Sequence, residues 1–477
     1  MSKDYKKDIF LHLQETREKV DRLTDEITTM RKEIKTLKTE NQKLKTENTA
    51  LRLENQKLKD IINKNSGSSS KPPSSDGFVK IPNSRTKTGK KPGGQLGHKG
   101  KVHKLMSNPT HIEDIKPEKC ACGGKITYSG KYTAKQLVDI EIATEIVEYR
   151  EHKGVCTCCR QQVKHLAPVR DIITYGNKLK SFVALLSLEG IVSTGRIKEM
   201  LCELTGGRLN LSGGTIAKWN KDLSRHVAPA IEAIKGKLLA SPVLHKDETG
   251  IRVNKALRWF HVLGNKRYTL YATHKKRGND ADKSMGILPV YSGVLVHDYL
   301  RGLYAFGCTH AECNAHILRY LKAAIERKNR RWAEDMIELL LEAKTVVERK
   351  GDDIDEAVVE KIGCRYDAIL EQGRDEFLRD ESPDYNGDDM KLLRRMVAYK
   401  AEHLRFVSVP GVPFDNNQAE RDLRMIKAKA KISGCFRADD GGDVFAMLKS
   451  YTSTLRKNGH NVFDGIRSAW SGSPVFC

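Results

Sequence analysis

Three acids lie far apart in this chain, each where a stiff element could hold it. Asp247 follows the strand-like run Val243–Lys246 and opens Asp247-Glu248-Thr249-Gly250. Asp298 follows the run Gly293–His297, with Arg301, Gly302 and Tyr304 behind it. Glu420 belongs to Asp415–Lys431, where Ala419, Leu423, Ile426 and Ala430 recur at helical spacing. Strand ends and helix starts are rigid enough to fix a reacting group. Taken singly, each acid reads as an ordinary turn or surface residue. Together they are three hard oxygen donors, a set that suits magnesium, whose other ligands are waters and substrate phosphate oxygens.

The elements that must position these acids are legible in outline. Asp415, three residues before Gln418 and just after the Pro410–Pro413 turn, predicts a capped helix start. Glu420, Arg424, Lys427 and Lys431 share one face of that helix, so an acid stands beside a possible phosphate track. A solvated surface would show the same charges. Strands are expected at Val243–Lys246, Leu257–Leu263, Tyr268–Ala272 and Gly293–His297. Helical spacing then runs through 330–400, long enough to be an insertion that ends before the chain returns with Glu420.

The chain has 477 residues, room for two to four domains. Its 84 lysines and arginines against 61 acids give a formal charge of +23, the footprint of a nucleic-acid binder. Eleven cysteines and a polar start favour thiols and metal ligands over disulfides, and a cytoplasmic location. No apolar run approaches a membrane span.

Within residues 1–65, an unbroken heptad runs from Leu13 to Ile62. Val20, Ile27, Ile34, Asn41, Asn48, Asn55 and Ile62 stand at a; Leu23, Met30, Leu37, Leu44, Leu51 and Leu58 stand at d. Leucine at d with β-branched residues and asparagine at a predicts a parallel two-stranded coil, hence a homodimer. Residues 66–104 are rich in serine, proline, glycine and lysine, a tether that is either a flexible linker or a phosphate-tracking arm through Lys90, Lys91 and Lys99. In 105–170, Cys120, Cys122, Cys156 and Cys159 flank a β-rich stretch and predict a structural zinc ribbon, with Cys158 as a substitute ligand. Residues 171–239 predict two short helices across a tight turn at Gly206-Gly207. Lys218 and Lys221 fall on the second, as in a helix-turn-helix or a plain helical hairpin.

At this point the chain resembles the bacterial transposases of insertion sequence family sixty-six, in the DDE superfamily with an RNase H-like core. The likeness rests on Ser70–Asp76, Lys91–Gly100, the cysteine knuckles, Asp247–Gly250, Cys313-Asn-Ala-His316 and Asn416–Arg421. The first knuckle, Cys120-Ala-Cys122, is one residue shorter than the common spacing. The resemblance implies an α/β RNase H-like core split between 240–329 and 401–450, with the helical insertion at 330–400 and a tail at 451–477. It implies that Asp247, Asp298 and Glu420 are the catalytic acids, that Cys313 and His316 are structural, and that accessory proteins of the same element take part. The expected chemistry is phosphoryl transfer on double-stranded DNA with two magnesium or manganese ions, and Arg424, Lys427 and Lys431 near the phosphates. A hydrolytic nuclease or resolvase of the same fold, and a non-catalytic DNA-binding regulator, are the competing readings.

Overall fold

The computed structural model describes residues 3–63, 104–351, 353–380 and 387–476. The basic tether, with Lys90, Lys91 and Lys99, lies outside them. Two compact units divide the chain: Met1–Asn83 with His316–Ile337 and Glu371–Leu393, and Ser84–Ala315 with Glu338–Leu370 and Arg394–Cys477.

The heptad segment forms one helix, α1 (Lys3–Asn63). Its 61 residues span about 90 Å at the rise of an α-helix. The d-position stripe, from Leu23 to Leu58, is half or more exposed along the single chain. The knuckle region has little regular structure, a two-stranded ladder of β1 (Lys153–Val155) and β2 (Gln162–Lys164). The stretch Tyr128–Tyr149, expected to be β-rich, forms no strand. Its apolar side chains, such as Leu137 and Ile140, stay exposed, and among the described residues no layer covers them to reward pairing there.

Three helices lead into the core: α2 (Asn177–Leu188), α3 (Thr194–Leu204) and α4 (Gly213–Leu239). The expected pair of short helices is corrected on two counts. The link from Thr205 to Ser212 is a long loop, with Gly206 and Gly207 at positive φ, and α4 runs for 27 residues. Its first turns pack Ile216 and Trp219 against Ile197, Leu201 and Val183. Its later turns bury Val227, Ile231, Ile234 and Leu238 in the main core. That continuous apolar stripe carries the helix on where a hairpin reading stops it.

The core is a five-stranded mixed sheet of β3 (Val243–Val253), β4 (Ala256–Gly264), β5 (Thr269–His274), β6 (Val294–His297) and β7 (Thr309–Glu312), in the order β5-β4-β3-β6-β7. β3 runs antiparallel to β4 and parallel to β6, and β6 is parallel to β7. This mixed α/β arrangement is compatible with an RNase H-like core. Helices α11 (Asn417–Ser433), α12 (Gly441–Lys457) and α13 (Val462–Trp470) complete it. The hydroxyls of Ser450 and Thr454 on α12 accept the N–H groups of Tyr271 and Thr269, covering the open edge of β5. The tail therefore packs on the core, and Lys449 is buried against Glu189 at 2.7 Å.

The region 330–400 is helical as expected, in α7 (Arg331–Lys350), α8 (Glu356–Leu378) and α9 (Asp388–Ala398), after α6 (Asn314–Lys328) and before α10 (Lys400–Ser408). Within the first unit, Trp332 is fully buried and its backbone N–H donates to Glu376 at 2.7 Å. A Cβ on Gly373 would meet the Trp332 ring at 3.1 Å, so glycine allows the two helices to close.

Candidate active site

Asp247 does not end its strand. β3 continues to Val253 because β4 pairs with it through Val253↔Ala256. What stops beside Asp247 is the parallel ladder, whose last pair is Lys246↔His297. Asp298 follows that pair directly, so the two aspartates leave neighbouring strands side by side. Asp298 is held through its main chain: its carbonyl accepts from Leu300 N–H and from His297 Nδ1, each at 2.6 Å. Burial keeps the His297 imidazole neutral, lowering it to about 4.

Side chains alternate along β3, so His245 and Asp247 share one face, and Lys246 and Glu248 the other. On the second face, Lys246 is fully buried, 2.9 Å from Glu248 and 3.1 Å from Asp282. Arg277 closes on Glu248 from outside at 2.7 Å. Burial alone would raise both acids, but Lys246 and Arg277 at Glu248, and His261 and Lys246 at Asp282, lower them below the ordinary carboxylate value. Asp247 is different. Burial, and then the negative charge of Asp298, push its carboxyl up to about 7, against one bond from Glu248 N–H at 2.7 Å.

Glu420 sits in the first turn of α11, half-buried, and α11 packs on β3. The expected capping box does not form. Asp415 Oδ1 accepts from Asn417 N–H at 3.0 Å, and Gln418 turns to Asp422 and Arg421. The N-cap is Asn416, whose side chain makes no cap bond. Asn416 is buried and spends its amide elsewhere, donating to the Lys246 carbonyl at 2.8 Å and meeting His245 Nδ1 at 3.0 Å. Its backbone N–H donates to Cys313 Sγ at 3.2 Å. The helix is held on its back by Asp422, paired with Lys457 at 2.7 Å, and it ends at Gly434, φ 70°.

Ala419, Leu423 and Ile426 are buried as the periodicity predicts, and Arg424, Lys427 and Lys431 are exposed. Lys218 is exposed, while Lys221 pairs with Asp440 at 2.6 Å. A cavity of about 580 Å³ lies beside the start of α11, lined by His245, Arg267, Phe406, Gln418 and Arg421 among others.

Cys313, just after β7, is buried, and its sulfur lies within 4.8 Å of an Asp298 carboxylate oxygen. His316 follows one turn into α6. The cysteine knuckles each form a turn: Gly123 N–H donates to the Cys120 carbonyl, and Cys159 N–H points at Cys156 Sγ. The N–H groups of Cys159 and Cys158 lower the Cys156 thiol, as Gly124 N–H lowers Cys122. Among the described residues, however, the four sulfurs do not converge into one ligand group.

Sequence reasoning missed a second buried cluster. Glu312, at the end of β7, takes Arg395 at its carboxylate, His403 at 3.0 Å and the Tyr304 hydroxyl at 2.7 Å. Burial opposes its charge, but these partners win and hold it down at about 2. Arg395 in turn lies 3.9 Å over the Tyr299 ring, next to Asp298. The only signal was an acid directly before Cys313.

The adjoining aspartates fit a divalent cation by the chemistry of their donors: two carboxylates leave neighbouring strands, and burial with the charge of the second makes the first hold a proton to near neutrality. Comparison with known proteins bears on what such a site does. Residues 13–104 match a family of unknown function, DUF6444. No curated protein matches the chain. Residues 173–444, more than half of the chain and all three acids, match the model described as Transposase IS66 family, and the chain belongs to that family of nucleic-acid-modifying enzymes.

Proposed function

We propose that this protein is a DNA transposase that cuts the ends of an insertion element and joins the 3′ ends to target DNA, with Asp247, Asp298 and Glu420 as the catalytic acids. The observation that carries the reading is the raised proton affinity of Asp247 beside Asp298. Such a pair is costly unless a cation or a proton joins it, and perturbed acids of this kind mark functional sites. Two magnesium or manganese ions, held by the three acids, would supply Lewis-acid charge at the reacting phosphate.

The reaction is two in-line displacements at phosphorus. Water attacks the phosphodiester at the element end and releases a 3′-hydroxyl. That hydroxyl then attacks a target phosphodiester, and the target strand leaves as its own 3′-hydroxyl. The chain's part is to hold the acids rigid and to track the DNA. Arg424, Lys427 and Lys431, exposed on the face of Glu420, would contact phosphates and offset charge that grows in the transition state. The exposed Lys218 on α4 would meet the terminal repeats. The heptad of α1 would join two chains and so two element ends, and zinc on Cys120, Cys122, Cys156 and Cys159 would fix the knuckles. Accessory proteins of the same element are further expected partners.

A strand-transfer assay with pre-cut ends tests this. The wild-type protein is expected to yield joined product, and Asp247→Ala to bind DNA without cutting or joining. Cleavage without joining would favour the hydrolytic reading, and undiminished cleavage by Asp247→Ala would end the assignment.

A further inference from the structure

We propose that Asn416 is the positioning residue of the site, a clamp that sets Glu420 against the two aspartates through His245 and Cys313. The inference rests on the three-acid reading and goes beyond it. Asn416 is fully buried and makes four bonds, each to a segment that carries one acid or adjoins it. Its amide Nδ2 donates to the carbonyl of Lys246, the residue before Asp247. Its Oδ1 faces His245 Nδ1, on the same face of β3 as Asp247. Its backbone N–H donates to the sulfur of Cys313, which itself neighbours the Asp298 carboxylate. Its carbonyl accepts the N–H of Glu420 at 3.3 Å, closing the first turn of α11.

The chemistry orients the clamp. A carbonyl can only accept, so the Lys246 bond assigns the NH₂ end of the amide, and the oxygen must face His245. An amide oxygen can only accept, so His245 Nδ1 carries the proton of that bond. An asparagine at an N-cap ordinarily turns its side chain onto its own helix. Here it is spent on the sheet, and Asp415 covers the helix start instead. Glu420 therefore takes its height above the sheet from a bonded contact rather than from apolar packing alone. Supports of this kind, one shell behind the ligands, typically alter metal affinity 10–100-fold.

The test uses the full-length protein, with Mn²⁺ binding followed by electron paramagnetic resonance and Mn²⁺-dependent cleavage measured beside it. Asn416→Ala is expected to weaken Mn²⁺ about 10-fold or more and to raise the Mn²⁺ needed for half-maximal cleavage equally, with metal-free DNA binding unchanged. His245→Ala should do the same. His245→Asn, which keeps an N–H donor at the Nδ1 position, should restore most of the affinity. A merely structural role would lower the melting temperature of these variants without moving Mn²⁺ affinity in the folded protein. Wild-type affinity in folded His245→Ala or Asn416→Ala would overturn the clamp alone. If wild-type protein binds Mn²⁺ no better than Asp247→Asn, the three-acid reading falls and the clamp with it.

Discussion

Replacing Asp247 by asparagine should stabilise the metal-free protein, and more so at high pH. The ordinary aspartate value is 3.8, and the folded chain holds this carboxyl at about 7. Between those values the folded state keeps a proton that the unfolded state has lost. Stability must therefore fall as pH rises through that window and level off above it. Asparagine has no proton to lose, so the advantage of the variant grows across the same range. From about pH 5.5 to about pH 8.5 the gap should widen by about 2 kcal/mol at most, since each pH unit below the folded value is worth about 1.4 kcal/mol. For a protein of this size that is a rise of about 2 °C in the difference between melting temperatures. Differential scanning calorimetry in EDTA at the two pH values reads it directly. Adding Mg²⁺ at the higher pH should then stabilise the wild type and leave Asp247→Asn unmoved. A gap that stays constant or narrows with rising pH would refute the claim that burial and Asp298 raise this carboxyl.

Three further outcomes are expected. Glu312→Gln should cost about 3 kcal/mol in a urea titration, because it leaves the Arg395 charge without its carboxylate at a site with no exposed carboxylate surface. As that carboxyl is held low, its contribution is complete above the ordinary value of 4.5 and is lost as pH falls toward about 2, so wild type and variant should converge in acid. The double change Arg424→Ala, Lys427→Ala should weaken DNA binding alike on any sequence and lower the slope of log affinity against log salt by about 2; an unchanged slope would remove these residues from the phosphate track. Cys156→Ser should abolish the zinc measured in purified protein by mass spectrometry, whereas full zinc content would clear Cys156 of that role.

Much of the scaffold was legible because its signals are periodic. The leucines of α1, the stripe Ala419–Leu423–Ile426 and the helices of 330–400 repeat at intervals that only a helix satisfies. Four of the core strands were visible as apolar runs. The fifth, β7, was not, since Thr309, His310 and Glu312 are polar, and Glu312 is buried only through partners such as Arg395 and His403 from distant sequence. The same limit hid the length of β3: its second half is paired to β4, and Glu248 is matched by Lys246 two residues back and by Arg277 from afar. At the site, residue types and spacing pointed to the three acids but not to what holds them. Asp415 and Gln418 fit the sequence rule for a cap, yet Asn416 takes the N-cap position and turns its side chain to β3, a choice made by tertiary bonds that no local pattern encodes.

Where divalent cations bind tests the three-acid assignment most directly. In crystals of the full-length protein with a DNA end and Mn²⁺, anomalous scattering is expected to show two peaks bounded by the carboxylates of Asp247, Asp298 and Glu420, both absent in Asp247→Asn. Mn²⁺ bound elsewhere, or carboxylates of Glu420 and Asp247 turned to separate surfaces with no ion joining them, would contradict it.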